Sequence, residues 1–216
     1  MADQVAMAAR APILVIDRGD LPSLAATSLF NDPEQLILWH VRETDAAAEA
    51  RRRIVQTKAR VLGVRRLLMA EPLTVGLPEL AAPVELYQAA MLLQAAAIAR
   101  QLECARIVWP RQIGPDFERM AEIVDRASLV SELAGIGRTA ARGAPGDPAD
   151  AIDLPLVDLT DEHLVDLIDE AGAPFELFWP CERTVEAPCG ECGGCQRWSG
   201  AFEAMGLPWP WAAVSA

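Results

Sequence analysis

Four of the five cysteines in this 216-residue chain lie close together near its C-terminal end. This cysteine cluster consists of Cys181, Cys189, Cys192 and Cys195, with the spacing C-x7-C-x2-C-x2-C. Gaps of two residues allow neighbouring thiolates to converge on one ion, and the glycines between them relieve strain in the tight turns that this requires. Four thiolates would close a tetrahedral shell and leave no open position for water. The spacing therefore predicts a structural Zn²⁺ site within a loop at residues 181–195.

Four thiolates can also hold other groups, so the alternatives to zinc stay open. An all-cysteine site can bind iron or an iron–sulfur cluster, although nothing else in the sequence indicates redox chemistry. A Cys-x-x-Cys redox pair would stand at the start of a helix beside a thioredoxin-like unit, and it would leave Cys181 unexplained. Disulfides are typical of exported proteins rather than of reducing compartments. We expect zinc and reduced thiols, with Cys104 as a buried inert thiol.

The composition argues against several classes of protein. Hydrophobic residues make up 52% of the chain, which is enough for a packed core and untypical of a disordered protein. The formal net charge of −12 argues against a nucleic-acid partner, because phosphate binding needs a concentrated basic surface. The apolar run at residues 11–16 is too short for an export signal or a membrane span, so we expect a cytoplasmic protein without membrane contact. The length predicts a single domain over residues 1–216.

Short apolar runs alternate with longer helical patterns along the chain. The runs at 13–17, 35–40, 67–69, 106–109 and 152–159 are typical of buried parallel strands. The segments at 24–30, 46–62, 85–103, 116–128 and 161–171 predict helices, with Asp45 capping the second and Thr160 the last. Residues 135–150 are rich in Gly, Ala and Pro and predict a surface loop. This alternation predicts an α/β fold, a parallel sheet with helices on both faces.

The C-terminal part of the chain has the pattern of a known family. The pattern comprises Leu156-Val-Asp-Leu-Thr160, an amphipathic helix, Gly172-Ala-Pro-Phe-Glu-Leu-Phe-Trp-Pro-Cys181, Pro188-Cys-Gly-Glu-Cys192 with Cys195, and Ala201-Phe-Glu-Ala-Met-Gly206. Over residues 155–206 it resembles the QueC family, the 7-cyano-7-deazaguanine synthases of the ATP-pyrophosphatase (PP-loop) superfamily. The resemblance implies a Rossmann-like fold of the adenine nucleotide α-hydrolase type, a zinc site at the cysteine cluster, a cytoplasmic location and often a homodimer.

The family binds ATP with a Ser-Gly-Gly-x-Asp-Ser loop after its first strand, and the resemblance places the corresponding loop at residues 18–23. Asp20 puts a carboxylate into this phosphate cradle, and Pro22 removes a backbone N–H donor. We therefore predict a degenerate ATP loop that is no longer suited to ATP-Mg²⁺. Its candidate cofactor-binding residues are Arg18, Gly19, Asp20, Leu21 and Ser23, of which only Gly19, Leu21 and Ser23 match the family.

Other positions of the family's chemistry differ as well, and they are His40-Val-Arg-Glu43, Tyr87-Gln88, Asp161 and Trp198. His40 is expected to be structural or exposed to solvent, since no partner residues for catalysis can be named. The tryptophans of the tail, Trp209 and Trp211, are expected to pack on the protein itself.

Two functions follow from this combination of a kept cysteine cluster and an altered loop. The favoured one is a non-catalytic binding or assembly module stabilised by zinc, with no catalytic residue assigned. The alternative is an active ATP-dependent ligase of the 7-cyano-7-deazaguanine synthase type, in queuosine or deazapurine biosynthesis. The candidate partners are a deazapurine or nucleotide ligand, another protein, and a second copy of the chain.

Overall fold

The computed structural model describes residues 11–76, 83–136, 152–183 and 185–212. Within them, five strands form one sheet: β1 Ile13–Ile16, β2 Leu36–Val41, β3 Arg66–Ala70, β4 Arg106–Val108 and β5 Ile152–Asp153. Their order in the sheet is β3-β2-β1-β4-β5, and every neighbouring pair is parallel. The predicted α/β fold is confirmed.

Six helices cover both faces of the sheet: α1 Leu21–Ser28, α2 Ala48–Val61, α3 Val84–Gln101, α4 Phe117–Ile136, α5 Asp161–Glu170 and α6 Gly193–Ala204. Ile13 and Val15 of β1 share a core with α1, α5 and α6 on one face. Leu14 and Ile16 share a core with α3 and α4 on the other. Because alternate residues of β1 are buried on opposite sides, the strand is apolar throughout. In the described ranges, no helix is long and apolar enough to cross a membrane.

The strand order reverses between β1 and β4. The chain runs outward from β1 through β2 to β3, and it then returns to place β4 on the other side of β1. Open α/β sheets bind ligands outside the carboxyl ends of their strands at such a switch point. The loops that follow β1, β2 and β4 are therefore where a site is expected.

Several predicted boundaries are wrong. α1 begins at Leu21 rather than at 24, because the Asp20 side chain caps it and Pro22 suits its first turn. β5 ends at Asp153 rather than at 159, since residues 155–158 form turns that start at Pro155. α4 continues to Ile136, well past 128. The predicted loop at 135–150 therefore overlaps the end of α4, and its remainder lies outside the described residues.

The predicted packing of two helices also needs correction. α2 begins at Ala48 with Ala47 as its N-cap, so Asp45 accepts the N–H of Ala47 instead of capping the helix. α3 is not buried all round, because Leu86 and Leu93 on one side of it are exposed. The tail does pack as predicted, with the Trp209 ring 5.5 Å from that of Phe202.

Candidate functional site

The cysteine cluster converges around one point. Its four Sγ atoms lie within 4.8 Å of one another, and all five cysteines of the chain are free thiols. The Sγ of Cys181 lies 3.5 Å from that of Cys189 and 3.8 Å from that of Cys192. A tetrahedral zinc ion with Zn–S bonds of about 2.3 Å requires sulfur–sulfur separations of about 3.8 Å. The arrangement therefore fits a single metal ion.

The same distances bear on the alternatives to a single ion. A four-iron cluster keeps its cysteine sulfurs further apart, since each thiolate binds a different iron atom. Thiolates that all lie within 4.8 Å of one another fit one ion better. Four sulfur ligands also fill a tetrahedral shell and leave no position for a reactive water. Such an ion would hold structure rather than carry out hydrolysis.

The thiols of the cluster differ in acidity. Backbone N–H groups of Glu191 and Cys192 point at the Cys189 sulfur and hold its pKa at about 6, below its ordinary value. Burial raises the pKa of the Cys181 and Cys195 thiols. A bound metal ion deprotonates its thiol ligands outright. Metal uptake must therefore release protons, and metal affinity must rise with pH.

Tight backbone packing sets the start of α6 beside the cluster. A Cβ built on Gly194 would overlap the carbonyl oxygen of Pro180, so only glycine fits there. A Cβ on the preceding Gly193 would meet nothing closer than the Glu182 carboxylate, 3.6 Å away. Cys192 is the N-cap of α6, and Cys195 lies in its first turn. This helix therefore carries two of the four sulfur atoms.

A buried ion pair lies beneath the loop that follows β1. The side chains of Asp17 and Lys58 are fully buried, and Lys58 Nζ lies 2.9 Å from Oδ1 and 2.7 Å from Oδ2 of Asp17. Oδ2 is within ion-pair range but off the line of a hydrogen bond. Oδ1 is the hydrogen-bond acceptor, and it also accepts the N–H of Gly19 at 2.8 Å. The ion pair therefore fixes the first turn of the loop.

His40, at the end of β2, supports the same turn. It is 1% exposed, and its Nδ1–H donates to the Asp17 carbonyl oxygen at 2.8 Å, since a carbonyl can only accept. Nε2 is buried and has no hydrogen-bond partner among the described residues. Burial lowers the pKa of His40. Of the two roles predicted for His40, structural or exposed to solvent, the structure shows the structural one.

The predicted ATP loop is bonded within itself. Oδ1 of Asp20 accepts the backbone N–H of Ser23 at 3.1 Å and its hydroxyl at 2.5 Å. The Ser23 Oγ in turn accepts the N–H of Arg18 at 3.0 Å. Because Gly19 donates to Asp17, three backbone N–H groups of the loop are already used, and Pro22 has none to offer. The Asp20 carboxylate occupies the N-terminus of α1, where a phosphate would otherwise lie.

The other members of the loop face neighbouring elements. Leu21 is fully buried in the core, and Gly19 has a φ of 74°, which favours glycine. The guanidinium of Arg18 lies 2.6 Å from the carboxylate of Glu43, which also pairs with Arg51 at 2.6 Å. The carbonyl oxygen of Gly19 accepts the N–H of Trp179 at 2.7 Å, so that the loop touches the segment leading into the cluster.

A cleft opens at the carboxyl ends of β1, β2 and β4, where the strand order reverses. One cavity there has a volume of about 200 Å³, with Ile16, Val41 and Trp109 among its apolar walls and Arg111 and Tyr87 among its polar ones. Further cavities of about 140 and 300 Å³ adjoin it and share Arg18 with it. The larger of these reaches Cys181 and the start of α6. The altered loop and the cysteine cluster therefore border one continuous cleft.

A comparison with known families matches residues 122–206 of this chain to the family described as "Queuosine biosynthesis protein QueC". The C-terminal part of the chain resembles QueC. The 7-cyano-7-deazaguanine synthase of Methanosarcina barkeri is 43% identical over 56 residues, which are 26% of this chain and 24% of that protein. That of Trichodesmium erythraeum is 29% identical over 85 residues, 39% of this chain and 38% of that protein. The matched stretches thus span between a quarter and two fifths of these relatives' own length.

The fold has a solved counterpart as well. The U34-tRNA thiolase NcsA from Methanococcus maripaludis, determined with its [4Fe-4S] cluster, superposes with a TM-score of 0.53 at 12% sequence identity. The superposition covers 95% of this chain and 70% of the thiolase. At this identity it shows a shared fold over nearly the whole chain.

One departure from the QueC pattern has a structural explanation. Asp161, at the start of α5, pairs with Arg197 of α6 at 2.6 Å. Gln112, in the loop after β4, donates to Asp161 at 3.0 Å and accepts from Arg197 at 2.5 Å. This position therefore ties two helices to the strand-end loop instead of facing the cleft with a free charge.

The sequence analysis missed four residues of the site, namely Arg51, Lys58, Arg111 and Arg197. Lys58 gave one signal, because it is the only lysine of the sequence and lies on a helix rich in arginine. Arg111 gave none, since its importance comes from the cavity beside it. These residues can be recognised as members of the site only from the folded structure, in which the strands bring distant loops together.

Proposed function

We propose that this chain is a QueC-like protein that binds a structural zinc ion and uses its strand-end cleft to bind a ligand without ATP chemistry. The cysteine cluster, Cys181, Cys189, Cys192 and Cys195, supplies the zinc ligands. The cleft beside it serves as a non-catalytic binding or assembly site. Like its relatives, the protein would work in the cytoplasm, where thiols stay reduced.

The observation that carries this proposal is the position of Asp20. In its cap geometry the carboxylate lies at the positive end of α1 and takes the backbone and hydroxyl donors of Ser23. A pyrophosphate group brought to the same place would meet a fixed negative charge and would lose those donors. Phosphoryl and adenylyl chemistry depends on positioning and on stabilisation of negative charge. This loop is therefore poorly built for either.

Zinc is supported by the chemistry of the donor set. Four thiolates at tetrahedral spacing suit a structural zinc ion, and they offer no open coordination position. Anaerobic purification followed by metal analysis and absorption spectroscopy tests this choice. One equivalent of zinc without visible absorption supports the choice of zinc. Charge-transfer bands of bound iron or of an iron–sulfur cluster would instead identify iron as the bound metal.

Calorimetric titration of the zinc-loaded protein with ATP-Mg²⁺ tests the absence of ATP chemistry. A release assay for AMP and pyrophosphate with 7-carboxy-7-deazaguanine runs beside it. We expect neither binding at millimolar ATP nor product release. The variant Asp20→Gly should bind pyrophosphate more tightly than the native chain, because it removes the blocking carboxylate. Asp32→Gly is the matched control, since Asp32 caps the short helix at Pro33–Gln35 on an exposed surface.

The second candidate function is an active ligase of the 7-cyano-7-deazaguanine synthase type. It is favoured by Gly19, in the turn after β1, and by Ser23, in the first turn of α1, because both match the family and their neighbours Arg18 and Asp20 line an open cavity. Micromolar ATP binding with product release by the native chain would establish this function and refute the binding-module proposal.

Two properties of the whole chain belong to the same proposal. We expect residues 1–216 to behave as a single domain, and limited proteolysis of the zinc-loaded protein should leave one resistant core. We also expect a homodimer, which sedimentation analysis would detect as twice the chain mass.

A further inference from the structure

Arg111 is an arginine of the cleft without a counter-charge. Three other arginines that line the cleft are paired with carboxylates: Arg18 and Arg51 with Glu43, and Arg197 with Asp161. Within the described part of the chain, the Arg111 side chain makes neither a hydrogen bond nor an ion pair, and its Nε is buried without a partner. A guanidinium cannot give up its proton to escape this situation. The positive charge is therefore present and uncompensated.

The surroundings of Arg111 add to its positive charge. Burial lowers the pKa of Arg111, and the nearby guanidinium groups of Arg18, Arg119 and Arg126 lower it further, opposed by Asp20. This concentration of cations stands out in a chain with a net charge of −12. A buried polar group without a partner costs free energy, and proteins keep such groups mainly at functional sites. A ligand that brings negative charge would recover that cost.

The cavity beside Arg111 also limits the size and polarity of the rest of the ligand. At about 200 Å³ it has room for a small organic molecule, and Ile16, Val41, Met91 and Trp109 give it mainly apolar walls. Tyr87 adds a hydroxyl from α3. The cavity lies where β1 and β4 diverge, the position at which open α/β sheets bind their ligands. An apolar body with one charged end matches these walls.

We propose that Arg111 anchors the carboxylate or phosphate group of a small organic anion, whose apolar body lies against Trp109 and Met91. This inference rests on the proposed use of the cleft as a binding site, and it names the chemical class of the ligand. Two parallel N–H groups of the guanidinium would bind two oxygen atoms of the anion, a geometry that a lysine could not reproduce.

Two pairs of probes test the anchor: the first pair has the same ring and different charge, and the second has the same phosphate group with and without a ring. Indole-3-carboxylate is compared with indole-3-carboxamide, and phenyl phosphate with inorganic phosphate, by ligand-observed NMR. The zinc-loaded native protein is compared with Arg111→Gln. Arg119→Gln is the matched control, because it removes the same charge from an exposed side chain near Arg111.

We expect the organic anions to bind the native protein at least about tenfold more tightly than the carboxamide, since a charge-assisted pair is lost in the latter. Arg111→Gln should abolish this preference, and Arg119→Gln should keep it. If inorganic phosphate binds as tightly as phenyl phosphate, the proposed contact between an apolar body and the cavity walls is refuted. Equal binding of carboxylate and carboxamide, or no binding of any probe at millimolar concentration, would overturn it.

Thermal unfolding separates a binding role from a structural one. Removing an unpaired, half-buried charge should raise the melting temperature of the unliganded protein, so Arg111→Gln should be more stable than the native chain. A lower melting temperature would assign Arg111 a structural role and contradict the anchor. The ATP titration is independent of these results, because ATP binding would refute the binding-module proposal and leave the charge preference of the probes unchanged.

Discussion

Replacing Lys58 by methionine should be one of the most damaging single changes in this protein. The substitution keeps most of the side-chain volume and removes the one positive charge that, among the described residues, pairs with Asp17. Both side chains are 0% exposed, with Nζ 2.9 and 2.7 Å from the two carboxylate oxygens. Breaking a buried ion pair by removing one partner costs about 3–5 kcal/mol, because the remaining charge is stranded away from water.

The lower end of that range applies here. Asp17 keeps one hydrogen bond, from the N–H of Gly19 at 2.8 Å, so its carboxylate would not be wholly unsatisfied. A loss of about 3 kcal/mol corresponds to a fall in Tm of about 6–12 °C for a chain of this size. Thermal unfolding of the zinc-loaded protein, followed by circular dichroism, measures it. The same change should loosen the turn at Gly19, because the Asp17 carboxylate accepts hydrogen bonds from both Lys58 and the Gly19 N–H.

Two further variants make this test specific. Arg60→Met removes a cation from the exposed side of the same helix and should change stability by less than about 0.5 kcal/mol. The double variant Asp17→Asn with Lys58→Met removes both charges and should be more stable than Lys58→Met alone. Two results would contradict the importance assigned to the ion pair. One is that Lys58→Met and Arg60→Met have the same melting temperature. The other is that the double variant loses as much stability as Asp17→Asn and Lys58→Met lose together.

Three more outcomes follow from the geometry. Gly194→Ala should lose metal and be less stable by about 1–3 kcal/mol, because the new methyl group would overlap the Pro180 carbonyl. Gly193→Ala is the control and should retain the metal. Equal metal content in the two variants would contradict this prediction. Removal of the metal by a chelator should lower Tm and expose the 181–195 segment to protease, and an unchanged Tm would mean that the metal holds no structure. His40 has a lowered folded-state pKa, so the unfolded chain binds the extra proton more readily, and stability should fall as the pH drops below 6.5. The variant His40→Gln should lack that part of the pH dependence, and parallel pH profiles of the native and variant proteins would refute the assignment.

The cysteine cluster was predictable because its information is local. Two-residue gaps and interspersed glycines specify convergence wherever the segment lies in the fold, and the structure brings the four sulfur atoms within 4.8 Å. The sheet was predictable for a related reason, since each buried strand is a short apolar run. Both patterns depend on neighbours in sequence rather than on neighbours in space.

Features that depend on distant partners were missed. The partner of Lys58 is Asp17, which lies 41 residues earlier in the chain. The strand predicted at 152–159 stops at Asp153 because turn formation at Pro155 outweighs the apolar pattern. Propensity and periodicity cannot weigh an ion pair or a turn that only the folded chain completes.

The hydrogen bond from Trp179 to the Gly19 carbonyl joins the cysteine segment to the loop after β1, two residues before Cys181. This hydrogen bond gives metal binding at the cysteine cluster a direct contact with that loop. By thermodynamic linkage, a ligand that binds the cleft more tightly when the metal is present must raise the affinity for the metal by the same factor. In a cell where zinc is scarce, this protein would keep its metal best while its cleft is filled.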